Sequence, residues 1–252
     1  SCCTISMTED FLEAFQLNQA QKGENICVSL FGSGGKTSLL FLLAQQGATA
    51  GKRVLISTTT KMWIPEPHQY TMLDLSGNRN IRLHDTPSSS IVVVGKRAEN
   101  NDKMKGIDEK FIQELLPSFD LTLLETDGAA GKPLKGWHQN EPIIPSYTSH
   151  SIGVADISQI GKLLSQENVH RTELFFALTG LNPEATLAME DLARIISAED
   201  GLMKYARGRQ FVFLNKSETE EHRQHYHKLT LLLPQYRILA GSVLGRQIEE
   251  PK

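Results

Sequence analysis

Cysteine is scarce in this chain, with three among 252 residues. Cys2 and Cys3 are adjacent and Cys27 stands inside an apolar run, so the spacing typical of a disulfide framework or a zinc ribbon is missing. Cys27 is most simply a small buried hydrophobic residue. This cysteine usage favours a reducing compartment, and we expect a cytoplasmic protein.

A strong charge of one sign is also missing. Lys and Arg together number 26, Asp and Glu 29, and the formal net charge is −3. Such a chain has no overall positive field that would hold DNA, RNA or an anionic membrane. Its leucine clusters are too short to cross a bilayer, and its first residues lack the basic and apolar regions of a signal peptide. We therefore expect no nucleic acid and no membrane among its partners.

The sequence does contain apolar runs that alternate with helical segments. Most runs are continuous, as in strands that are covered on both faces. They occupy residues 26–31, 54–57, 91–95, 121–126, 151–154, 211–214 and 236–239. The helical segments are residues 8–17, 37–46, 108–116, 187–206 and 218–232, and the polar stretches 76–90 and 131–150 are predicted to be long loops. This order predicts a single α/β domain over residues 1–252, with a mainly parallel sheet, helices on both faces and a helical subdomain at about residues 158–206.

A glycine-rich segment follows the first of these runs. In a parallel sheet, ligands bind beyond the carboxyl ends of strands, where this segment lies. Its glycines can turn successive amides toward one point, and the next helix adds unpaired amides and the positive end of its dipole. Lys36 can reach the terminal phosphates of ATP or GTP, and the Thr37 hydroxyl can ligate the accompanying Mg²⁺. The predicted nucleotide-binding residues here are Gly32, Ser33, Gly34, Gly35, Lys36, Thr37 and Ser38.

This phosphate-binding motif is a short form. Leu30 stands where the long G-x-x-x-x-G-K-[ST] motif has its first glycine, which leaves G-x-x-G-K-T. Phe31 stands where partitioning and metal-insertion ATPases carry an extra lysine, so that lysine is missing. The alternative is a strand-to-helix turn with a lysine by chance, but the strand before it and the helix after it favour phosphate binding.

Paired acids end the strand at residues 121–126. An acid at the tip of a core strand near a phosphate loop is where a Walker B carboxylate stands, holding Mg²⁺ and positioning the attacking water. Glu125 and Asp127 share one face if the strand continues through them. We therefore predict Thr37, Glu125 and Asp127 as metal ligands and Lys36, Glu125 and Asp127 as catalytic residues. The alternative is a solvated strand end.

Two further segments leave two interpretations open. Lys132, Lys135 and His138 lie in a glycine-containing loop that either closes over an anionic substrate or is a solvated surface loop. Residues 58–61, Thr-Thr-Thr-Lys, either offer hydroxyls and a charge to phosphate or simply end a strand, since threonine is a good strand former. Trp63 after them is either an ordered lip of the site or a core anchor.

A candidate base-binding motif follows the run at residues 211–214. GTPases place N-K-x-D there, and the acid accepts hydrogen bonds from guanine. Asn215, Lys216 and Glu218 match this pattern, although Glu is longer than Asp. The alternative is a helix start with Ser217 as its cap and early acids facing the helix dipole. The stretch Leu-Ala-Gly-Ser-Val-Leu-Gly, residues 239–245, is a candidate to close the same pocket.

These stretches together resemble the YqeC family, described as selenium cofactor biosynthesis or selenium-dependent molybdenum hydroxylase accessory proteins. The resemblance rests on GSGGKTSLL, VLISTTTKM, ETDGAAGKPLKG with EPIIP after it, VHRTELFFALTG and FLNKSE. It implies a P-loop NTPase-like fold and a role in maturing such hydroxylases, with a molybdenum hydroxylase or its cofactor-assembly proteins as partners. NKSE departs from the more usual N-Q-x-D or N-K-x-D. Metallocentre-assembly GTPases of the urease and hydrogenase systems are also similar, and Glu125 fits their strand-end glutamate.

Three functions are compatible with these motifs. The first is an NTP-hydrolysing accessory protein in which hydrolysis acts as a conformational clock. The second is an ATP-dependent phosphotransferase or ligase acting on a small anionic substrate, because the short loop also resembles that of Mur-type ligases. The third is a nucleotide-dependent binding module without turnover.

Overall fold

The computed structural model describes residues 6–18, 24–78, 86–99 and 102–250. The strands are β1 (Ser6–Thr8), β2 (Ile26–Gly32), β3 (Val54–Thr58), β4 (Lys61–Trp63), β5 (Met72–Asp74), β6 (Ile91–Val94), β7 (Lys96–Arg97), β8 (Lys103–Lys105), β9 (Leu121–Glu125), β10 (Leu134–Lys135), β11 (His150–Asp156), β12 (Val169–His170), β13 (Arg209–Asn215), β14 (Arg237–Ser242) and β15 (Gln247–Glu250). The α-helices are α1 (Phe11–Ala14), α2 (Lys36–Thr49), α3 (Glu109–Leu115), α4 (Thr172–Thr179), α5 (Met189–Ser197) and α6 (Glu220–Leu232).

A ten-stranded sheet in the order β1-β15-β14-β13-β11-β2-β9-β3-β6-β5 forms the centre of the molecule. Strands from β14 to β5 pair in parallel, whereas β15 pairs antiparallel with both β14 and β1, so β15 is the one described strand of this sheet that runs opposite to the others. Every residue of β2 is buried, as expected for a continuous apolar run. The predicted mainly parallel α/β sheet is confirmed, and its strand–loop–helix unit β2–α2 is consistent with a P-loop NTPase-like fold.

Helices cover both faces of this sheet. Successive residues of a strand point to opposite sides, so a continuous apolar strand has side chains to bury on each face. Leu30 of β2 belongs to a core that includes α1 and α2, whereas its neighbour Phe31 packs in a core formed with α4, α5 and α6. A smaller cluster places α3 against β3 and β6. No helix among the residues described is long and apolar enough to cross a membrane.

Two predicted helices are shorter in the structure. The helix predicted at residues 187–206 ends at Ser197, because Ala198 is extended and Gly201 turns the chain back so that the Leu202 amide bonds to the Ile195 carbonyl. The helix predicted at residues 8–17 is the single turn α1, which Asp10 caps. Part of the predicted loop at 76–90, residues 79–85, lies outside the described residues, as do Cys2 and Cys3.

The segment at residues 158–206 supplies α4 and α5, which pack in one cluster with Phe31 and Val212 of the central sheet. Its description as a helical subdomain of a single domain stays a prediction. Cys27 is a buried core residue, as its apolar surroundings predict, and burial raises the pKa of its thiol to about 12.

Candidate functional site

Parallel pairing brings the carboxyl ends of the central strands to one edge of the sheet. Glu125 at the end of β9 lies opposite Leu30 of β2 on one side and Thr58 of β3 on the other. At the same edge Gly32 pairs with Val154 of β11. The phosphate-loop residues and the strand-end acids, distant in sequence, therefore become neighbours.

The phosphate loop, residues 32–38, runs from the last residue of β2 into the first turn of α2 and requires glycine at close backbone contacts. Gly34 and Gly35 have φ of +87° and +118°, in the left-handed region. A Cβ on Gly34 would lie 2.4 Å from the Asp156 Cβ, and one on Gly35 would lie 2.1 Å from the Asn215 Nδ2. The two glycines thus let the loop pass close to β11 and β13.

This loop leaves a row of amide donors at the start of α2. The Ser33 amide donates to the Val154 carbonyl and the Gly32 amide to the Asp127 carboxylate. No oxygen among the described residues accepts a hydrogen bond from the amides of residues 34–38. Unpaired amides at a helix N-terminus, together with the helix dipole, can hold an anion.

Lys36, Thr37 and Glu125 meet beneath these amides. The Thr37 hydroxyl donates to Glu125 Oε2 at 2.8 Å, and Lys36 Nζ lies 3.8 Å from Glu125 Oε1. Burial raises the pKa of Glu125 above its ordinary value, against the opposing charge of Lys36 and the hydrogen bond from Thr37. Burial alone would lower the pKa of Lys36, but the charges of Asp127 and Glu125 outweigh it and raise that pKa.

Asp127 has surroundings unlike those of Glu125. It is fully buried, and its carboxylate accepts hydrogen bonds from the Gly32 amide, Lys36 Nζ at 2.7 Å, Lys135 Nζ at 2.9 Å and Trp137 Nε1 at 2.9 Å. Burial alone would raise its pKa, but the two ammonium groups hold that pKa down at about 2. With its oxygens occupied in this way, Asp127 anchors two lysines, and its contacts give no support to the predicted role as a metal ligand.

Lys135 lies inside the protein and extends this buried network. Its side chain is fully buried, and its Nζ lies 3.9 Å from Glu141 Oε2 in addition to its contact with Asp127. Arg171, just before α4, binds both carboxylate oxygens of Glu141. Lys135 therefore holds its loop down and does not reach toward a substrate, whereas His138 is exposed.

A cavity of about 450 Å³ opens above the phosphate loop. Its walls include residues 33–38 and 128–133, Lys61, Trp63, Lys103, Glu125, Gln159 and Lys216. Asp127 is not among them. The hydroxyls of Thr58 and Thr59 donate to the carbonyls of Glu125 and Ile143, so these two threonines brace the strand ends. Trp63 forms an exposed lip of the cavity rather than a core anchor.

A second cavity, of about 740 Å³, adjoins the first and shares Gly35, Ser38 and Lys216 with it. The predicted base-binding residues Asn215, Lys216 and Glu218 all line it, with Ser242, Val243 and Leu244 from the predicted closing stretch. Sequence motifs at residues 32–38, 215–218 and 242–244 thus meet in one continuous groove.

Hydrogen bonds within this groove hold the side chains of Asn215 and Glu218 in place. Asn215 donates to the Gly34 carbonyl at 2.8 Å and accepts from the Val243 amide at 3.1 Å, which ties the phosphate loop to the closing stretch. The Ser242 hydroxyl donates to Glu218 Oε1 at 2.7 Å. The predicted cap is wrong: Thr219 caps α6, because its Oγ1 accepts from the His222 amide, whereas the Ser217 hydroxyl is buried without a described partner.

Sequence reasoning missed Asp156, Trp137 and the Glu141–Arg171 pair. Asp156 Oδ2 lies 2.7 Å from Lys216 Nζ. Its position at the end of the continuous run β11 is a signal that could have found it, since Glu125 stands at the same place on β9. Trp137, Glu141 and Arg171 lie outside the long strands, and nothing in their spacing reveals their contacts.

The donor set at the first cavity suits a hard cation that arrives with phosphate. Among the described residues, no three His, Cys, Asp or Glu side chains form a metal-binding cluster. The Thr37 hydroxyl and the Glu125 carboxylate are oxygen ligands, and Mg²⁺ in nucleotide sites takes one or two protein ligands plus phosphate oxygens and water. These residues therefore fit Mg²⁺ bound to a nucleotide.

Comparison with known proteins gives two matches. The model of the family described as YqeC protein matches residues 28–173, which include the phosphate loop, Glu125, Asp127 and Arg171. A protein of Escherichia coli (strain K12) described as "Uncharacterized protein YqeC" is 37% identical over 187 residues, which are 73% of this chain and 72% of that protein. On this evidence the chain belongs to the YqeC family.

Proposed function

We propose that this protein binds a nucleoside triphosphate with Mg²⁺ and hydrolyses it, as an accessory protein in the maturation of selenium-dependent molybdenum hydroxylases. Resemblance to the family supports the biological role. One observation carries the chemistry: the Thr37 hydroxyl and the Glu125 carboxylate are 2.8 Å apart beside Lys36, under a row of unpaired amides. These are the groups that a P-loop enzyme uses for phosphate and metal.

In this proposal the amides of residues 34–38 and Lys36 hold the β- and γ-phosphates. Lys36 then exchanges its contact with Asp127 for the phosphates. Asp127 stays neutralised in this exchange because Lys135 remains 2.9 Å from it and the Gly32 amide and Trp137 still donate to it. The buried network thus allows the lysine to move without leaving an unpaired carboxylate behind.

Mg²⁺, held by Thr37 and Glu125, would neutralise charge on the phosphate oxygens. Water attacks the γ-phosphorus, the bond from that phosphorus to the bridging oxygen breaks, and inorganic phosphate and the nucleoside diphosphate leave. Glu125 is the one carboxylate among the described residues that line this cavity. It is therefore the residue whose loss should affect both metal binding and turnover.

The second cavity would take the base. Asn215 orients the phosphate loop and the closing stretch together, and Glu218 presents an acceptor in the same cavity. Competition between ATP and GTP, measured with and without Mg²⁺, decides which base fits best.

Titration calorimetry with ATP and GTP in the presence of Mg²⁺ tests the proposal. We expect binding in the wild type, loss of binding in Lys36→Ala, and loss of the Mg²⁺-dependent part in Thr37→Ala. Thr49→Ala is the matched control, because Thr49 is exposed at the far end of the same helix. The proposal is wrong if neither nucleotide binds, or if Lys36→Ala binds as tightly as the wild type.

Phosphate release then separates turnover from binding alone. We expect Glu125→Gln to lose turnover, whereas a pure binding module would show the same release in this variant as in the wild type. Phosphoryl transfer is a second candidate, favoured by Lys61 and Lys103 in the wall of the phosphate cavity. Phosphate release that strictly requires an added acceptor would support transfer over hydrolysis.

A further inference from the structure

A small antiparallel sheet in the order β4-β8-β7 lies beside the phosphate cavity. We call residues 61–63, 96–97 and 103–105 the basic sheet, because every residue in it is Lys or Arg except Met62, Trp63 and Met104. Acids near it, Glu99 and Asp102, lie in the connection between β7 and β8 and not in the strands.

The strand register places four lysines on one face of the basic sheet. Lys105 lies directly opposite Lys61 on one side and Lys96 on the other, which forms a row of three. Trp63 pairs with Lys103 two positions along, so both point to the same face as the row. Met62 and Met104 point to the other face, where they are buried in the main core.

This lysine face carries a cost in stability. Like charges directly across neighbouring strands repel one another. Among the described residues, no carboxylate forms an ion pair with Lys61, Lys96, Lys103 or Lys105. An arrangement that breaks a local rule without compensation from the part of the chain that the structure describes is typical of a functional site, where the ligand supplies the missing charge.

The lysine face also continues the phosphate cavity. Lys61, Trp63 and Lys103 line the same cavity as Lys36, Thr37 and Glu125, and none of them lines the adjoining base cavity. Trp63 is 58% exposed, with Lys103 Nζ 4.6 Å from its ring centroid. A base held in the second cavity would not contact this wall, because none of its three residues lines that cavity.

We propose that the basic sheet binds a second small molecule, an anion with a planar ring system, next to the terminal phosphate of the nucleotide. Its anionic group lies against Lys61 and Lys103, and its ring stacks on Trp63. This inference rests on the proposed nucleotide function and adds the substrate class to it. A ligand with both an anionic group and a planar ring contacts the ammonium groups and the Trp63 ring together. A ligand with only one of these features contacts only part of the wall.

The test uses 4-methylumbelliferyl phosphate, a planar aromatic phosphate, as the probe. Binding is followed through tryptophan emission, with the phosphate loop filled by saturating ADP and Mg²⁺. The sequence has two tryptophans, and Trp137 is buried whereas Trp63 is exposed, so quenching by the probe reports mainly on Trp63. Inorganic pyrophosphate and 4-methylumbelliferone, which supply the charge or the ring alone, are the comparison ligands.

We expect the probe to quench emission in the wild type and to lose about tenfold in affinity in the double variant Lys61→Gln, Lys103→Gln, because charge-assisted contacts disappear. Trp63→Phe should lose the quenching. Lys228→Gln, at an exposed lysine of α6, is the matched control and should bind like the wild type. Circular dichroism spectra of the variants must match that of the wild type.

Three results would overturn the inference. The wild type could fail to bind the probe while still binding ADP, or both comparison ligands could bind as tightly as the probe. The double variant could also lose nucleotide affinity as strongly as probe affinity, which would assign the lysines to the nucleotide itself. Failure of ADP to bind at all would instead reject the proposed nucleotide function, and probe binding would then be measured on the free protein.

Discussion

Asp127 is the residue on which the buried charge near the phosphate loop depends. Lys36 and Lys135 are 4% and 0% exposed and both contact its carboxylate. Removing the carboxylate would leave two buried ammonium groups with a weakened partner, and an uncompensated buried charge is far more costly than a broken surface pair.

We therefore expect Asp127→Asn to lower the free energy of unfolding by about 3–5 kcal/mol at pH 7. Urea denaturation measures this change. Glu220→Gln is the control, because Glu220 lies 3.4 Å from Arg223 and is 73% exposed, and its loss should cost less than about 1 kcal/mol. Equal losses in the two variants would contradict the role given to Asp127. Its lowered pKa means that its contribution is present above its unfolded pKa and is lost as the pH falls through about 2.

His150 supplies a second prediction at the scale of the residue. Its ring is stacked on Phe211 with centroids 6.4 Å apart, and burial, aided by the charge of Arg209, lowers its pKa to about 4. In the unfolded chain the imidazole of His150 takes up a proton near pH 6.5. The unfolding free energy therefore keeps its full contribution from neutral His150 above that pH and falls as the pH drops toward 4. The loss attributable to His150 is about 3 kcal/mol.

Replacing His150 by Phe should flatten the pH dependence of the unfolding free energy between pH 6.5 and 4, as measured by denaturant titrations across that range. His138→Phe, at an exposed position, should keep the wild-type pH dependence, because His150 is still present. A His150→Phe protein with the full acid-induced loss would show that other groups cause it.

At the scale of the element, two glycines let the phosphate loop pass close to β11 and β13. We expect Gly35→Ala to abolish nucleotide binding and to cost about 1–3 kcal/mol in stability, since its Cβ would lie 2.1 Å from the Asn215 amide at φ +118°. Gly51→Ala is matched, because Gly51 has φ +84° with nothing within 4 Å of a Cβ. That variant should lose only about 1–2 kcal/mol, from left-handed strain, and keep its affinity.

In the basic sheet, by contrast, we expect a substitution to stabilise the free protein. Lys105 lies between Lys61 and Lys96, so Lys105→Gln should raise the melting temperature of the free protein by about 1–2 °C at low salt. High salt should shrink this gain because screening weakens the repulsion. Scanning calorimetry at two ionic strengths measures it, with Lys228→Gln as the control. A lower melting temperature would mean that the lysine row is compensated within the protein.

At the scale of the whole molecule, two cavities meet at Gly35, Ser38 and Lys216, and one ligand spanning both would tie α2, β9, β13 and β14 together. A nucleotide at one hundred times its dissociation constant should stabilise the fold by about 2.7 kcal/mol. The melting temperature should then rise by about 5–10 °C in a thermal shift measurement with Mg²⁺. The Lys36→Ala protein should show no such rise, and an equal rise in that variant would place the ligand elsewhere.

The sequence by itself determined the elements that depend on local pattern. Continuous apolar runs predicted the central strands, since a strand covered on both faces has apolar residues at every position. The motif at residues 32–38 predicted a loop between strand and helix, because its glycines favour a tight turn between an apolar run and a leucine-rich one. The short strands β4, β7 and β8 carry too few residues to show any period, and no pattern predicted them.

Only the tertiary structure decided how charges were shared between distant segments. From the sequence, Glu125 and Asp127 looked equivalent, and Lys135 belonged to a loop that either closes over an anionic substrate or is solvated. Folding placed Lys135 and Trp137 against Asp127 and left Glu125 facing the cavity with Thr37. Burial and ion pairing depend on contacts between residues far apart in the chain, and spacing along one strand carries no information about which ammonium group will reach which carboxylate.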